Sequence, residues 1–212
     1  MAVVGFDLDM TLVDSAEGIV RSVQHVLATY GVEGDADRIR STIGLPLDHV
    51  FPLWLPDEPY DVLLAEYRAH YRENGIPMTR PMPGAAEAIE AVRAGGDRAL
   101  VVTAKHGAVA GLALEAAGLD ADIVVGDLFA EAKGEALVAH RAWAYVGDHP
   151  GDVRAARAAG VHAVAVATGP TPRQELLAAG PDVVLPDLRA VAGWLETERS
   201  ARHAVPRPLR SI

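Results

Sequence analysis

A chain of 212 residues, half of them hydrophobic, is long enough for one large domain or for a core domain carrying an insertion. Its formal net charge of −10 disfavours a nucleic-acid partner, and the absence of cysteine excludes disulfides, thiolate metal sites and cysteine nucleophiles. No basic segment with a long apolar follower opens the chain and no apolar stretch reaches bilayer length, so neither a signal peptide nor a membrane partner is expected, and the expected location is cytoplasmic.

Residues 2–7 read as a first buried strand that runs into Asp7-Leu8-Asp9-Met10-Thr11. From Ser15 the rhythm becomes helical, with Ile19, Val20, Val23, Val26, Leu27 and Tyr30 on one face and Gly31 as the stop. A short helix is expected over 37–43, broken by Gly44-Leu45-Pro46. A third runs over 59–74 with Tyr60, Leu63, Leu64, Tyr67 and Tyr71 as its stripe. After Pro83-Gly84 helices and short apolar strands alternate: helix 85–94, strand 99–102, helix 108–117, strand 123–125, then a helix beginning near Gly134. Strand 143–146, helix 153–159, strand 162–167, strand 183–185 and helix 188–195 complete the pattern. Continuous apolar strands alternating with helices imply an α/β fold, a doubly wound parallel sheet covered on both faces. The expected organisation is a Rossmann-like core over residues 1–14 and 81–196, a small all-helical domain over 15–80 inserted after the first strand, and a poorly ordered tail over 197–212.

In an open parallel sheet, ligands bind beyond the carboxyl ends of the strands. Three strands deliver polar residues to that edge: Asp7 and Asp9 after the first, Thr103, Ala104 and Lys105 after the second, and Gly147-Asp148-His149-Pro150-Gly151-Asp152 after the strand holding Tyr145. Several carboxylates without thiols favour a hard cation, most simply Mg²⁺, which commonly completes its shell with substrate phosphate. A threonine hydroxyl, backbone N–H groups at helix starts and one lysine would hold the remaining phosphate oxygens. One aspartate beside such an ion can attack phosphorus, and its neighbour can move the proton. Either Lys105 or Lys133 fits the lysine's part on these grounds.

Asp7-Leu8-Asp9-Met10-Thr11, Thr103, Lys133 and Gly147-Asp148 with Asp152 occur in the order of the four motifs of the haloacid dehalogenase-like hydrolases. The chain resembles that superfamily over residues of about 2–195, and the helical insertion resembles the cap of its phosphoglycolate-phosphatase-like branch. The resemblance implies Asp7 as nucleophile and metal ligand, and Asp9 as general acid/base that also binds the metal through its backbone carbonyl. It implies Thr103 and Lys133 on the phosphoryl group, Asp148 on Mg²⁺, and Asp152 supporting it. Thr103, Ala104, Lys105 and Lys133 form the expected phosphate site. Two positions depart from the family pattern: Met10 stands where glycine is usual, and Gly134 follows Lys133 where proline is common. The implied activity is Mg²⁺-dependent hydrolysis of a small phosphorylated metabolite, phosphoglycolate- or sugar-phosphate-like, through an aspartyl-phosphate. A phosphomutase, or a silent binding protein on the same fold, is the alternative.

Within the cap, Arg21, His25, Arg40, Arg68, His70 and Arg72 are the polar candidates for substrate contact, each read first as a solvated helix face. The tyrosines at 60, 67 and 71 are read as cap core, the turn at 43–47 as substrate-facing, and His106 and His149 as neighbours of the motifs rather than participants. Oligomeric state is not legible.

Overall fold

The computed structural model describes residues 2–204. Six parallel strands form the central sheet: β1 (Val3–Phe6), β4 (Arg98–Val102), β5 (Ile123–Val125), β6 (Ala142–Gly147), β7 (His162–Val166) and β8 (Val183–Leu185). Their spatial order is β5-β4-β1-β6-β7-β8. The chain builds outward from β1 to one edge, then returns and builds to the other, so the strand order reverses at β1. A two-stranded antiparallel ribbon, β2 (Val13–Asp14) and β3 (Arg80–Pro81), accounts for the remaining strands among the described residues, with Val13 opposite Pro81.

Alternating side chains of β1 serve both faces of the sheet, as strand pleating requires. Val4 and Phe6 pack in one core with α5 (Ala85–Ala94), α6 (Gly107–Ala116) and α10 (Val191–Ala204). Val3 faces the other, with Leu100, Tyr145, α7 (Glu131–Ala139) and α8 (Pro150–Ala159). Gly5 belongs to that second face for a steric reason. A Cβ there would meet Leu137 Cδ2 and Tyr145 Cδ2, each at 2.8 Å, so a larger residue would push α7 off the strand. α9 (Arg173–Ala178) connects β7 to β8.

Two aspartates pin the far edges of the sheet in the same way. Asp122, just before β5, accepts the Ala99 N–H at 2.7 Å and pairs with Arg93 at 3.4 Å. Asp182, just before β8, accepts the Ala163 N–H at 2.7 Å and pairs with Arg157 at 3.0 Å. Burial alone would raise the Asp122 pKa, but the Ala99 N–H and Arg93 hold it below the ordinary value.

Between β2 and β3 lies an all-helical segment: α1 (Ala16–Thr29), α2 (Ala36–Arg40), α3 (Leu47–Val50) and α4 (Tyr60–His70), with short 3₁₀ turns and a π-helical turn over Tyr71–Gly75. It has its own core of Val20, Val23, Leu27, Phe51, Leu63 and Tyr67, into which Val109 of α6 inserts. The ribbon ties its two ends together.

Several elements differ from expectation. The helix expected from Gly134 starts at Glu131, placing Lys133 in its first turn. α8 begins at Pro150, where proline's missing N–H costs nothing. α3, α9 and the ribbon escaped the periodicity reading because they are too short to show a period. The tail expected over 197–212 is helical as far as Ala204. Arg199 explains part of this: its guanidinium donates to Ala91 O and Val92 O, each at 3.1 Å, and to Asp97 at 3.2 Å. Residues 205–212 lie outside the described residues. Among the described residues no helix is long and apolar enough to cross a membrane.

Candidate active site

Strand β1 ends one residue before Asp7, β4 one before Thr103, and β6 one before Asp148. These are the three central strands around the reversal of strand order, where a parallel sheet opens a crevice at its carboxyl edge. The Asp7 N–H donates to Val146 O at 2.8 Å, which locks the first acid to the strand that presents Asp148.

Asp7, Asp148 and Asp152 each bring a carboxylate oxygen within 4.8 Å of the others, and all three residues are buried. Lys133 Nζ donates to Asp7 Oδ1 at 2.8 Å and to Asp152 Oδ1 at 2.7 Å. Asp152 Oδ2 accepts the His149 N–H at 3.1 Å, so both of its oxygens are engaged. Gly147 makes this possible: a Cβ there would lie 2.3 Å from Asp152 Oδ2. Thr11 Oγ1 donates to Asp148 Oδ1 at 2.6 Å, and Gly169 packs so tightly on Asp148 that a Cβ would overlap its Oδ2.

Three buried carboxylates around one ammonium leave an excess of about two negative charges, and the titration shifts reflect it. Burial, with Asp152 and Asp9 against Lys133, pushes the Asp7 carboxyl up to about 7. Burial, then Asp7 and Asp152, raise Asp148 well above the carboxylate range. For Lys133, burial disfavours the charged form, but Asp152 and Asp7 outweigh it and keep the ammonium protonated. A divalent cation fits this donor set: oxygen ligands only, and a charge deficit of the right size.

Asp9 lies outside that carboxylate group and has its own partners. Ser15 Oγ donates to its Oδ1 at 2.5 Å, and Lys105 Nζ approaches the same oxygen at 3.1 Å. Lys105 also sits 4.2 Å from the Tyr71 ring centroid. Burial would lower the Lys105 pKa, but Asp9 overrides it and raises it. The two lysines that residue chemistry alone could not separate thus serve different acids, with Lys133, the one the resemblance preferred, on Asp7. Thr103 is buried, and its Oγ1 accepts the Lys105 N–H at 3.2 Å, which leaves its own O–H to donate elsewhere.

The turn that carries the acids depends on Met10, whose φ of 62° is left-handed. The departure from glycine at this position therefore carries steric strain of about 1–2 kcal/mol. Met10 O accepts from Thr168 Oγ1 at 2.7 Å and Met10 N donates to Val13 O at 2.8 Å, which hold the turn in place. Gly134 is explained differently. It is inside α7 and faces α8, where a Cβ would stand 3.1 Å from Ala155 O and Ala158 Cβ.

A cavity of about 360 Å³ lies between the acids and the helical segment. Asp7, Asp9, Thr103, Ala104, Lys105 and Lys133 line its floor. Of the polar candidates in the helical segment, only Arg68 lines it; it pairs with Asp127 at 3.8 Å. Arg21 and Arg40 instead pair with Glu17, and His25 stacks on His70 at 4.1 Å. Tyr67 and Tyr71 are buried in the helical core as expected, yet they and Tyr60 also line the cavity. His149 caps α8, its Nδ1 accepting the Gly151 N–H at 3.0 Å, and packs beneath Gly44 of the 43–47 turn. His106 precedes α6 and lines the cavity.

Sequence reasoning missed the parts taken by Thr11, Ser15 and Gly169. Thr11 was visible within its motif. Ser15 reads as an ordinary helix N-cap, a position where serine is common, yet its hydroxyl goes to Asp9. Nothing near Gly169 in sequence signals contact with Asp148.

The chain matches the family described as "Haloacid dehalogenase-like hydrolase" over residues 4–166. It is 35% identical over 208 residues to "Probable phosphatase IndB" of Dickeya dadantii, covering 89% of this chain and 90% of that protein. It is 34% identical over 209 residues to a phosphoglycolate phosphatase of Agrobacterium fabrum, covering 88% of each. Among solved structures, the haloacid dehalogenase-like family hydrolase SP0104 of Streptococcus pneumoniae superposes with a TM-score of 0.82 at 25% identity, covering 92% of this chain and 98% of that one.

Proposed function

The chain belongs to the haloacid dehalogenase-like hydrolases, and on that premise we propose that it is a Mg²⁺-dependent phosphatase that cleaves a small phosphorylated metabolite through an aspartyl-phosphate on Asp7. The observation that carries this reading is the charge imbalance of three buried carboxylates around Lys133. Asp7 and Asp148 are the proposed ligands, with the Asp9 backbone carbonyl, while Asp152 is committed to Lys133 and to the His149 N–H. Bound there, Mg²⁺ would supply positive charge to the phosphoryl oxygens and bring Asp7 and Asp148 back to their ionised forms.

The chain's own groups divide the work. Lys133 holds Asp7 Oδ1, so Oδ2 is the oxygen that attacks phosphorus as the P–O bond to the alcohol breaks. Asp9 enters the first step protonated on the oxygen away from Lys105, gives that proton to the departing alkoxide, and recovers one from the attacking water, so it ends the cycle as it began. That water attacks the acyl phosphate, releasing inorganic phosphate and freeing Asp7. Ser15 and Lys105 orient Asp9 through one oxygen and leave the other for the proton. Thr103 O–H, with the Ala104 N–H, receives the phosphoryl oxygens, since the N–H groups of Thr103 and Lys105 are already engaged. Residues 15–80 serve as the cap that excludes water, with residues 1–14 and 81–196 as the catalytic core.

The carboxylate Asp9 also favours phosphate esters over carbon–halogen bonds, because an alkoxide needs a proton on leaving and a halide does not. The test is phosphate release from a generic monoester. Purified protein with Mg²⁺ should release phosphate, and Asp7→Asn should abolish it. Turnover by Asp7→Asn at the parental rate would remove the nucleophile from the scheme.

A further inference from the structure

The helical wall of the cavity constrains the alcohol half of the ester. Facing the acids are Val23, Ile43, Leu47 and Leu64, together with the rings of Tyr60 and Tyr67. Leu45 and Tyr60 also line the cavity while remaining 37% and 39% exposed, so apolar surface continues to its mouth.

The charges point the same way. Among the described residues, three lysines and arginines line the cavity, and each already faces a carboxylate. Lys133 stands 2.8 Å from Asp7, Lys105 is 3.1 Å from Asp9, and Arg68 is 3.8 Å from Asp127. The remaining charged wall residue is Asp48, which is negative. Lys105 and Lys133 are buried in their pairs, whereas the Arg68–Asp127 pair is exposed, so a second anionic group held beside the acids would lose its hydration there and could gain only the exposed Arg68 as a counter-ion. Uncharged polar groups would meet the Tyr60 and Tyr67 hydroxyls and the His106 ring on a wall that is otherwise aliphatic and aromatic. The Thr42 hydroxyl already donates to Ile39 O at 2.7 Å, and the Tyr71 ring lies under Lys105 Nζ at 4.2 Å with its hydroxyl buried.

We propose that the substrate is the monophosphate of an uncharged, largely apolar alcohol about the size of a substituted ring, and not a phosphorylated acid, a bisphosphate or a polyol phosphate. This rests on the phosphatase reading above and narrows it. It separates the chain from the substrate that names its Agrobacterium relative, since phosphoglycolate carries a carboxylate beside the ester. It also weighs against mutase chemistry, which needs cations in the cap for a second phosphate.

Benzyl phosphate, 4-carboxybenzyl phosphate and glycerol 3-phosphate all release primary alkoxides, so they isolate the pocket's preference from leaving-group chemistry. With Mg²⁺-loaded protein, kcat/KM for benzyl phosphate should exceed each of the other two by at least about tenfold, the effect of roughly 1.4 kcal/mol of unpaired desolvation. Leu45→Arg places a cation at the exposed rim and should raise the ratio of the 4-carboxybenzyl to the benzyl kcat/KM several-fold. Equal or better turnover of the carboxylated or polyol ester by the parental protein would overturn the inference while leaving the phosphatase reading intact. No phosphate release from any of the three would overturn that reading and this one with it.

Discussion

Asp7→Asn should stabilise the metal-free protein while it destroys the activity proposed for it. The Asp7 carboxyl is lifted from 3.8 to about 7, chiefly by burial, which corresponds to about 4 kcal/mol of native-state cost once the group is ionised. The sign follows from which state holds the proton. Between about pH 4 and pH 7 the unfolded chain has ionised Asp7 while the folded one retains its proton, so this group's contribution falls as pH rises and is fully lost above pH 7. Asparagine keeps the shape and an acceptor oxygen for Lys133, and Lys133 keeps Asp152 at 2.7 Å. In excess chelator at pH 8 the variant should therefore melt higher by about 10 °C, using roughly 2–4 °C per kcal/mol for a chain of this size. At pH 4.5 the difference should shrink to near zero, and saturating Mg²⁺ at pH 8 should reduce or reverse it by stabilising the parental protein alone. Calorimetric melting at the two pH values, with and without Mg²⁺, reads all of this. An Asp7→Asn variant no more stable than the parent at pH 8 in chelator, or equally shifted at both pH values, would refute the charge imbalance on which the metal assignment stands.

Lys133→Met leaves Asp7 and Asp152 buried without their shared cation, so the fold should lose about 3–5 kcal/mol in urea titration at pH 8, together with phosphate release. Met10→Gly relieves the left-handed strain at φ 62° at some cost in unfolded-state entropy, for a net gain of about 0.5–1 kcal/mol in the same titration. Because Asp122 titrates below its unfolded value, its contribution is present above about pH 4 and disappears as pH falls through the folded pKa. Asp122→Asn should accordingly lower the melting temperature at pH 7 and converge on the parent in acid.

The sheet and its acids were legible because each signal is local. An apolar run ending in Asp7 or in Gly147-Asp148 announces both a buried strand and the polar residue at its tip, and six such runs in alternation leave little choice of topology. Pairings that form only in three dimensions were not legible. Residue chemistry alone left Lys105 and Lys133 open, the resemblance preferred Lys133 beside Asp7, and only the folded chain shows Lys105 paired with Asp9. Ser15 marked only the start of the helical rhythm, and its bond to Asp9 forms across the turn in three dimensions. Met10 could be flagged only by family habit, and the turn's left-handed dihedral supplies the physical reason. Tyr60, Tyr67 and Tyr71 were read as core, which holds for the last two, but Tyr60 is exposed, and a helical stripe does not reveal that one flank of a buried ring also walls a cavity.

The ribbon of Val13–Asp14 against Arg80–Pro81 brings the outgoing and returning chain side by side before either reaches the sheet. The helical wall of the cavity is thus threaded through a single doorway, while His106, Val109 and Phe129 complete the cavity from the sheet side. A replacement beyond that doorway would have to keep the contacts the insert makes with the core, Val109 in its helical core and His149 beneath Gly44. Grafting a different helical insert between Asp14 and Arg80 is the natural route to re-addressing this chemistry to new molecules.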